Sequence, residues 1–352
     1  MGQLFNNSGR YASVHASPKG PGDARPTAFQ ILIDNDMVGN LQDKVILITG
    51  GSNGLGVDEV KNLARTGARI FFTARDMAKG EKVKAEILED LERDGTVNDS
   101  RIEVLKRDLR SFKSVREAAE KFMSKSDQLN ILVNNAGIAM TPHVVTEDGF
   151  EQQFQVNHLA HFYLFQLLKP MLLRSSTPEF NSRVIAVASS AHVLSPPLLG
   201  DYNLEKREGG YDPVVAYGQA KSANVWFANE LERRYGSQGL HAISAHPGGI
   251  ETGLQYSHDE ASARMVEQML QVPHIKAAMK SVEQGAAPIV NAAIGKEYEG
   301  QGGFYMEDCA VAQPLPDDAP MMAPGYKSWA CNPEDEKRLW LDSLESVGLQ
   351  DD

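Results

Sequence analysis

Two cysteines in 352 residues, Cys309 and Cys331, are too few and too far apart for a disulfide framework or a zinc site. They read as free thiols in a reducing compartment, and no metal is expected. Positive charge is also scarce: 35 Lys and Arg stand against 47 Asp and Glu, the formal charge is −12, and no basic patch is segregated along the chain. Nucleic acid and anionic membranes are poor partners for such a surface. No apolar run exceeds about ten residues before a charge or proline interrupts it, so no membrane span is expected. Met1 to Asn6 lack the charged and apolar regions of a secretory signal, and Asn6 stands where N-myristoylation needs Ser or Thr. These absences point to the cytoplasm.

What the chain does have is a core's worth of apolar residues, 42%, arranged in alternating short runs and amphipathic stretches. Residues 1–28 are rich in Gly, Ser, Pro and Asn and predict a flexible N-terminal arm. From Lys44 onward strands and helices alternate. The runs at 45–48, 69–73, 102–105, 129–133, 183–188, 241–245 and 303–306 predict seven strands, with helices near 55–64, 77–93, 111–126, 149–173 and 214–235 between them. Right-handed crossovers then force an α/β, doubly wound Rossmann fold, mostly parallel and flanked by helices, with ligands over the carboxyl edge. One domain over 29–312 is expected, with a small substrate cap from segments about 193–212 and 253–280. Residues 313–352 read as a C-terminal extension packing on it.

The glycines lie where such a fold binds its ligand. After the first strand comes Thr49-Gly50-Gly51-Ser52-Asn53-Gly54-Leu55-Gly56, a sharp turn that opens a helix. Free N–H groups and the helix dipole there favour a pyrophosphate. The fourth strand ends in Asn134-Asn135-Ala136-Gly137, small and amide-bearing residues that leave room for a flat ligand. Ser189 and Ser190 end the fifth strand, where a hydroxyl can hold a substrate oxygen. Tyr217 and Lys221 are four apart on a helix and share a face, so an ammonium can lower the phenol's pKa. Tyr202 and Lys206 repeat that spacing, but between Pro196-Pro197 and Gly209-Gly210, in a stretch too broken for a long helix.

Taken in order, these motifs resemble the short-chain dehydrogenase/reductase family over about residues 40–310, and within it the retinol-dehydrogenase and WW-domain-oxidoreductase branch and several fungal reductases. The resemblance implies an oxidoreductase passing a hydride between a nicotinamide and a carbonyl or alcohol carbon. Tyr217 would be the general acid/base, Ser189 the holder of the substrate oxygen, Lys221 the tuner of Tyr217, and Asn157 the support of a proton relay. Gly50, Ser52, Asn53, Gly54, Leu55, Gly56, Asp108, Leu109, Asn135, Ala136, Gly137, Pro247, Gly248, Ile250 and Thr252 would line the cofactor with Tyr217 and Lys221. Ala74 stands where NAD-using relatives place an acid, and Arg75 follows it, which favours NADP over NAD. Leu194, Leu198, Leu199, Tyr202, Tyr211, Met265, Met269 and Leu270 in the cap segments suit an apolar or aromatic small-molecule substrate. Two rival readings keep the same motifs: a non-redox dehydration, epimerisation or cyclisation, and a non-catalytic nucleotide sensor. A homodimer is left open.

Overall fold

The computed structural model describes residues 9–95, 101–251, 260–316, 318–319 and 323–351. Its strands are β1 (Val45–Ile48), β2 (Arg69–Ala74), β3 (Ile102–Lys106), β4 (Ile131–Asn134), β5 (Ser182–Val187), β6 (Leu240–His246), β7 (Phe304–Glu307) and β8 (Ala310–Val311). The helices are α1 (Ala12–His15), α2 (Ala28–Asp34), α3 (Leu55–Ala64), α4 (Met77–Asp94), α5 (Phe112–Met123), α6 (Gln152–Phe154), α7 (Ala160–Ser175), α8 (Pro213–Tyr235), α9 (Glu260–Leu270), α10 (Pro273–Ala278), α11 (Val282–Ile294) and α12 (Pro333–Ser346).

β1 is buried at all four positions, as an apolar run must be when both sheet faces are covered. Its alternate residues feed two cores. Ile46 and Ile48 join the layer under α2, α3, α4 and α11, whereas Val45 and Leu47 join the layer under α5, α7, α8 and α12. The strand order is β3-β2-β1-β4-β5-β6-β7-β8, parallel through β7. The order reverses between β1 and β4, and that crevice is where an open sheet of this kind takes its ligand. The sheet has eight strands, not the expected seven. β8 pairs antiparallel with β7 through Met306–Val311 and Glu307–Ala310, and two residues are too short to register as a periodic run.

Two further differences bear on the site. The helix expected over 149–173 is interrupted by one π turn, Gln155–Leu159, which carries Asn157. The stretch expected as a flexible arm lies, over its described residues 9–28, against the body. Arg25 is 4% exposed and donates to Ala278 O at 2.7 Å and Met279 O at 2.6 Å. Gln284 on α11 accepts from Gly22 N and donates to Asp23 O and Arg25 O. Breaker-rich composition predicts mobility, but one guanidinium and one amide supply the anchors that composition does not reveal. At the other terminus α12 lays Trp340 against Phe162 and Phe227 of the α7/α8 layer, and Asn229 on α8 donates to Glu336 at 2.8 Å.

Candidate active site

The crevice at the switch point is a cleft of about 620 Å³ along the carboxyl edges of β1 to β6. Its centre is the glycine turn. Gly54 has φ 51° and is the N-cap of α3 with no side-chain cap, so the first N–H groups of the helix are left for a ligand. Gly56 packs so tightly that a Cβ there would lie 2.2 Å from Gly50 O and 2.9 Å from Asn135 Nδ2. A side chain would push the helix off the turn. Thr49 ties this turn to β4: its Oγ1 accepts from Asn135 N at 2.8 Å and Ala136 N at 2.9 Å, and Asn135 Nδ2 donates to Thr49 O. Behind it, His161 Nε2 lies 2.9 Å from Thr49 Oγ1 while His161 Nδ1 lies 3.0 Å from Asn157 O. A carbonyl can only accept, so Nδ1 carries the proton and Nε2 accepts from the threonine. Burial holds this imidazole well below its usual pKa, and it stays neutral.

At the β2/β3 end, Arg75 is exposed at the mouth and Lys79 joins it on the wall. Asp76 is the N-cap of α4, accepting from Lys79 N at 3.1 Å. Asp108 pairs with Arg110 at 2.6 Å, which holds its carboxyl below the usual range, and nearby Arg75 adds to the shift. Arg107 lines the floor, 3% exposed. Over its whole length the cleft therefore carries five cationic side chains, Arg75, Lys79, Arg107 and Arg110 at this end and Lys221 at the other, against two carboxylates, Asp76 and Asp108.

At the β5 end the structure brings together Ser189, Tyr217 and Lys221. α8 begins with Asp212 accepting from Val214 N and Val215 N, then Pro213 at its first position, and runs unbroken past both residues. Tyr217 is 7% exposed, and burial raises its pKa to about 12 although a hydrogen bond with Ser189 pulls the other way. Lys221 donates to Val187 O at 2.8 Å, and burial brings its pKa down to about 8. Its Nζ is 5.7 Å from the centre of the Tyr217 ring. Asn157 is wholly buried beneath the β4 loop, accepting from Ile138 N and donating to Ile138 O, both at 2.9 Å. Gly137 is what lets it in: a Cβ there would meet Asn157 Oδ1 at 2.9 Å and Lys221 Nζ at 3.7 Å.

Gly50, Ser52, Asn53, Gly54, Leu55, Gly56, Arg75, Asp108, Leu109, Asn135, Ala136, Gly137, Pro247, Gly248 and Ile250 all line the cleft, as do Ser189, Tyr217 and Lys221. Asn157 stands one layer behind it, and Thr252 lies outside the described residues. Tyr202 is elsewhere: its hydroxyl bonds Asp342 at 2.7 Å and its ring stacks on Phe154. Leu194, Leu198, Leu199, Tyr211, Met269 and Leu270 do not border the cleft, and the Met265 side chain and residues 252–259 of the second cap segment lie outside the described residues. Sequence reasoning missed Arg107, Thr141 and His161, and gave no role to His246 at the head of the Pro247-Gly248 turn. His161 left a signal, four residues after Asn157 and so one helical turn away.

A family model for the short chain dehydrogenases matches residues 44–263. The chain is a short-chain dehydrogenase/reductase. Short-chain dehydrogenase/reductase prx1 of Penicillium roqueforti is 46% identical over 343 residues, covering 97% of this chain and 96% of its own. Retinol dehydrogenase 12 of Mus musculus is 34% identical over 307 residues, 87% of each chain. Among solved structures, an uncharacterised protein from Mycobacterium paratuberculosis superposes with a TM-score of 0.65 at 29% identity, covering 93% of this chain and 99% of that one. A blue fluorescent protein from a metagenomic library, in complex with NADPH, gives 0.56 at 28% identity over 76% of this chain and 96% of that one. This short-chain dehydrogenase/reductase is thus an oxidoreductase of a family that uses a nicotinamide cofactor. Its residues suit one: the Gly50–Gly56 turn leaves backbone room and open N–H groups for a pyrophosphate, and cations line the rest of the wall. No helix among the described residues is long and apolar enough to cross a membrane.

Proposed function

We propose that this protein is an NADP(H)-dependent oxidoreductase acting on the carbonyl or alcohol carbon of an apolar or aromatic small molecule in the cytoplasm. The observation that carries the reading is the convergence of Ser189, Tyr217 and Lys221 at one end of a cleft whose other end is lined by cations and a glycine turn. When bound, the nicotinamide supplies or accepts the hydride. Tyr217, protonated at neutral pH, gives its proton to a carbonyl oxygen in reduction, and Ser189 orients that oxygen. Lys221 places a buried cation on the same helix face, where it favours the phenolate as the proton leaves. Asn157 holds the β4 loop against the π turn beneath Lys221. Val156, Val187, Ala188, Ile138 and Ile250 give the cleft apolar wall, in keeping with an apolar substrate.

The preference for NADP rests on the β2 end. Ala74 offers no carboxylate to ribose hydroxyls, Asp76 is engaged in capping α4, and Arg75 and Lys79 can face an added phosphate. The metagenomic blue fluorescent protein, a structural neighbour, forms a complex with NADPH, in keeping with this reading. The test is a panel of ketones, aldehydes and alcohols with NADPH and NADH, following cofactor absorbance and product together. Consumption of NADPH in step with product is expected, and Tyr217→Phe should lower kcat by about 10²–10⁴-fold with cofactor affinity nearly unchanged. Product without net cofactor oxidation or reduction would instead favour a non-redox reaction.

A further inference from the structure

Arg107 is the most buried cation of the cleft and the one whose guanidinium is left unserved. Its backbone N donates to Ala74 O at 3.0 Å and fixes it at the carboxyl end of β3, but its Nε and Nη1 have no hydrogen-bond partner. The adjacent carboxylate, Asp108, is engaged by Arg110, and His161, the imidazole whose charge this guanidinium disfavours, is neutral. A guanidinium carries five donors, and burying it without acceptors destabilises a fold. A group that will arrive in the cleft is the natural counterpart.

We propose that Arg107 is a recognition residue for the adenosine half of the dinucleotide, its guanidinium held in the cleft floor for the acceptor-rich sugar-phosphate of that half. The inference rests on the dinucleotide reading above. Position selects the half. β3 and β5 are separated by β2, β1 and β4, so the strand ends bearing Arg107 and Ser189 are about 19 Å apart at ordinary strand spacing. Arg75, Lys79 and Asp108 share the Arg107 end, and Tyr217 shares the other. Unlike Arg75, which is exposed and free to follow a phosphate, Arg107 is fixed by its burial. It therefore gives up stability in the free protein for affinity in the complex.

Arg107→Met separates this role from a structural one. Binding of NADPH, adenosine 2′,5′-bisphosphate and nicotinamide mononucleotide is measured by calorimetry on wild type, Arg107→Met and Arg107→Lys, with the Tm of each protein without ligand. We expect Arg107→Met to weaken NADPH and the bisphosphate by about tenfold or more and to leave the mononucleotide unchanged. Its ligand-free Tm should rise by about 2–4 °C, and Arg107→Lys should recover part of the affinity. Unchanged affinity for the bisphosphate overturns the inference, and so does an Arg107→Met protein that loses Tm or does not fold, since either result makes the guanidinium a structural group. A wild type that binds neither NADPH nor NADH would refute the dinucleotide reading itself.

Discussion

Burial moves the two proton-carrying groups of α8 in opposite directions, and the consequence is measurable without substrate. Lys221 falls from 10.5 to about 8, so between those values the unfolded chain holds a proton that the folded one has lost. Stability rises with pH through that window. Tyr217 rises from 10.0 to about 12, so between 10 and 12 the folded protein keeps a proton that the unfolded chain gives up, and stability falls. Urea denaturation of the wild type from pH 7 to 10 should show the rise, and Lys221→Met should flatten it by about 3 kcal/mol over the full window. Equal slopes for the two proteins would mean that Lys221 is not held as a buried cation. The same titration reaches the ligand: if Lys221 contributes charge to the bound dinucleotide, wild-type affinity declines above about pH 8, whereas that of Lys221→Met does not.

Individual residues act here through the elements that hold them, and the N-terminal segment is the least expected of these. Arg25 donates to the last carbonyls of α10 and pairs with Asp23 at 2.8 Å. α10 itself has no buried residue. Immediately after it, Lys280 N donates to Gly249 O, and Met279 and Lys280 pack against Gly249 and Gly248 of the β6 turn that borders the cleft. Arg25→Met breaks a buried ion pair and strands two carbonyls, a loss of about 3–5 kcal/mol. Hydrogen exchange should therefore quicken over residues 273–280 and 247–250 before it does in α8. Uniform change across the protein would show that the segment is simply part of the global core. This contact was illegible in the sequence because Arg25 sits among glycines and prolines, and the carbonyls it reaches at the end of α10 are more than 250 positions away. The strands from β1 to β7 and the helices α3, α4, α5 and α8 were legible, because their periodicity is local, and the N-cap Ser111 of α5 stands at the head of its helix. The π turn at Asn157 was not. It depends on a side chain pairing with Ile138 across the β4 loop, which helical periodicity cannot encode.

At the scale of the whole molecule the charge is inverted inside the cleft. The chain carries −12 and has no basic run, yet folding gathers Arg75, Lys79, Arg107, Arg110 and Lys221 around one cleft. They come from the ends of β2 and β3 and from α4 and α8, so no window of sequence contains more than two of them near one another. An acidic exterior around a cationic groove favours a polyanion over a neutral metabolite at the mouth, and its field is screened by salt outside more than within. Dissociation constants for NADPH and NADH measured from about 0.02 to 0.2 M salt should therefore both rise, and the proposed placing of the extra phosphate opposite Arg75 and Lys79 requires the NADPH slope to be the steeper. Arg75→Ala should bring the two slopes together and cost NADPH about tenfold in affinity while sparing NADH. Parallel slopes in the wild type would assign the groove's charge to the shared pyrophosphate alone and remove the physical basis for preferring NADP.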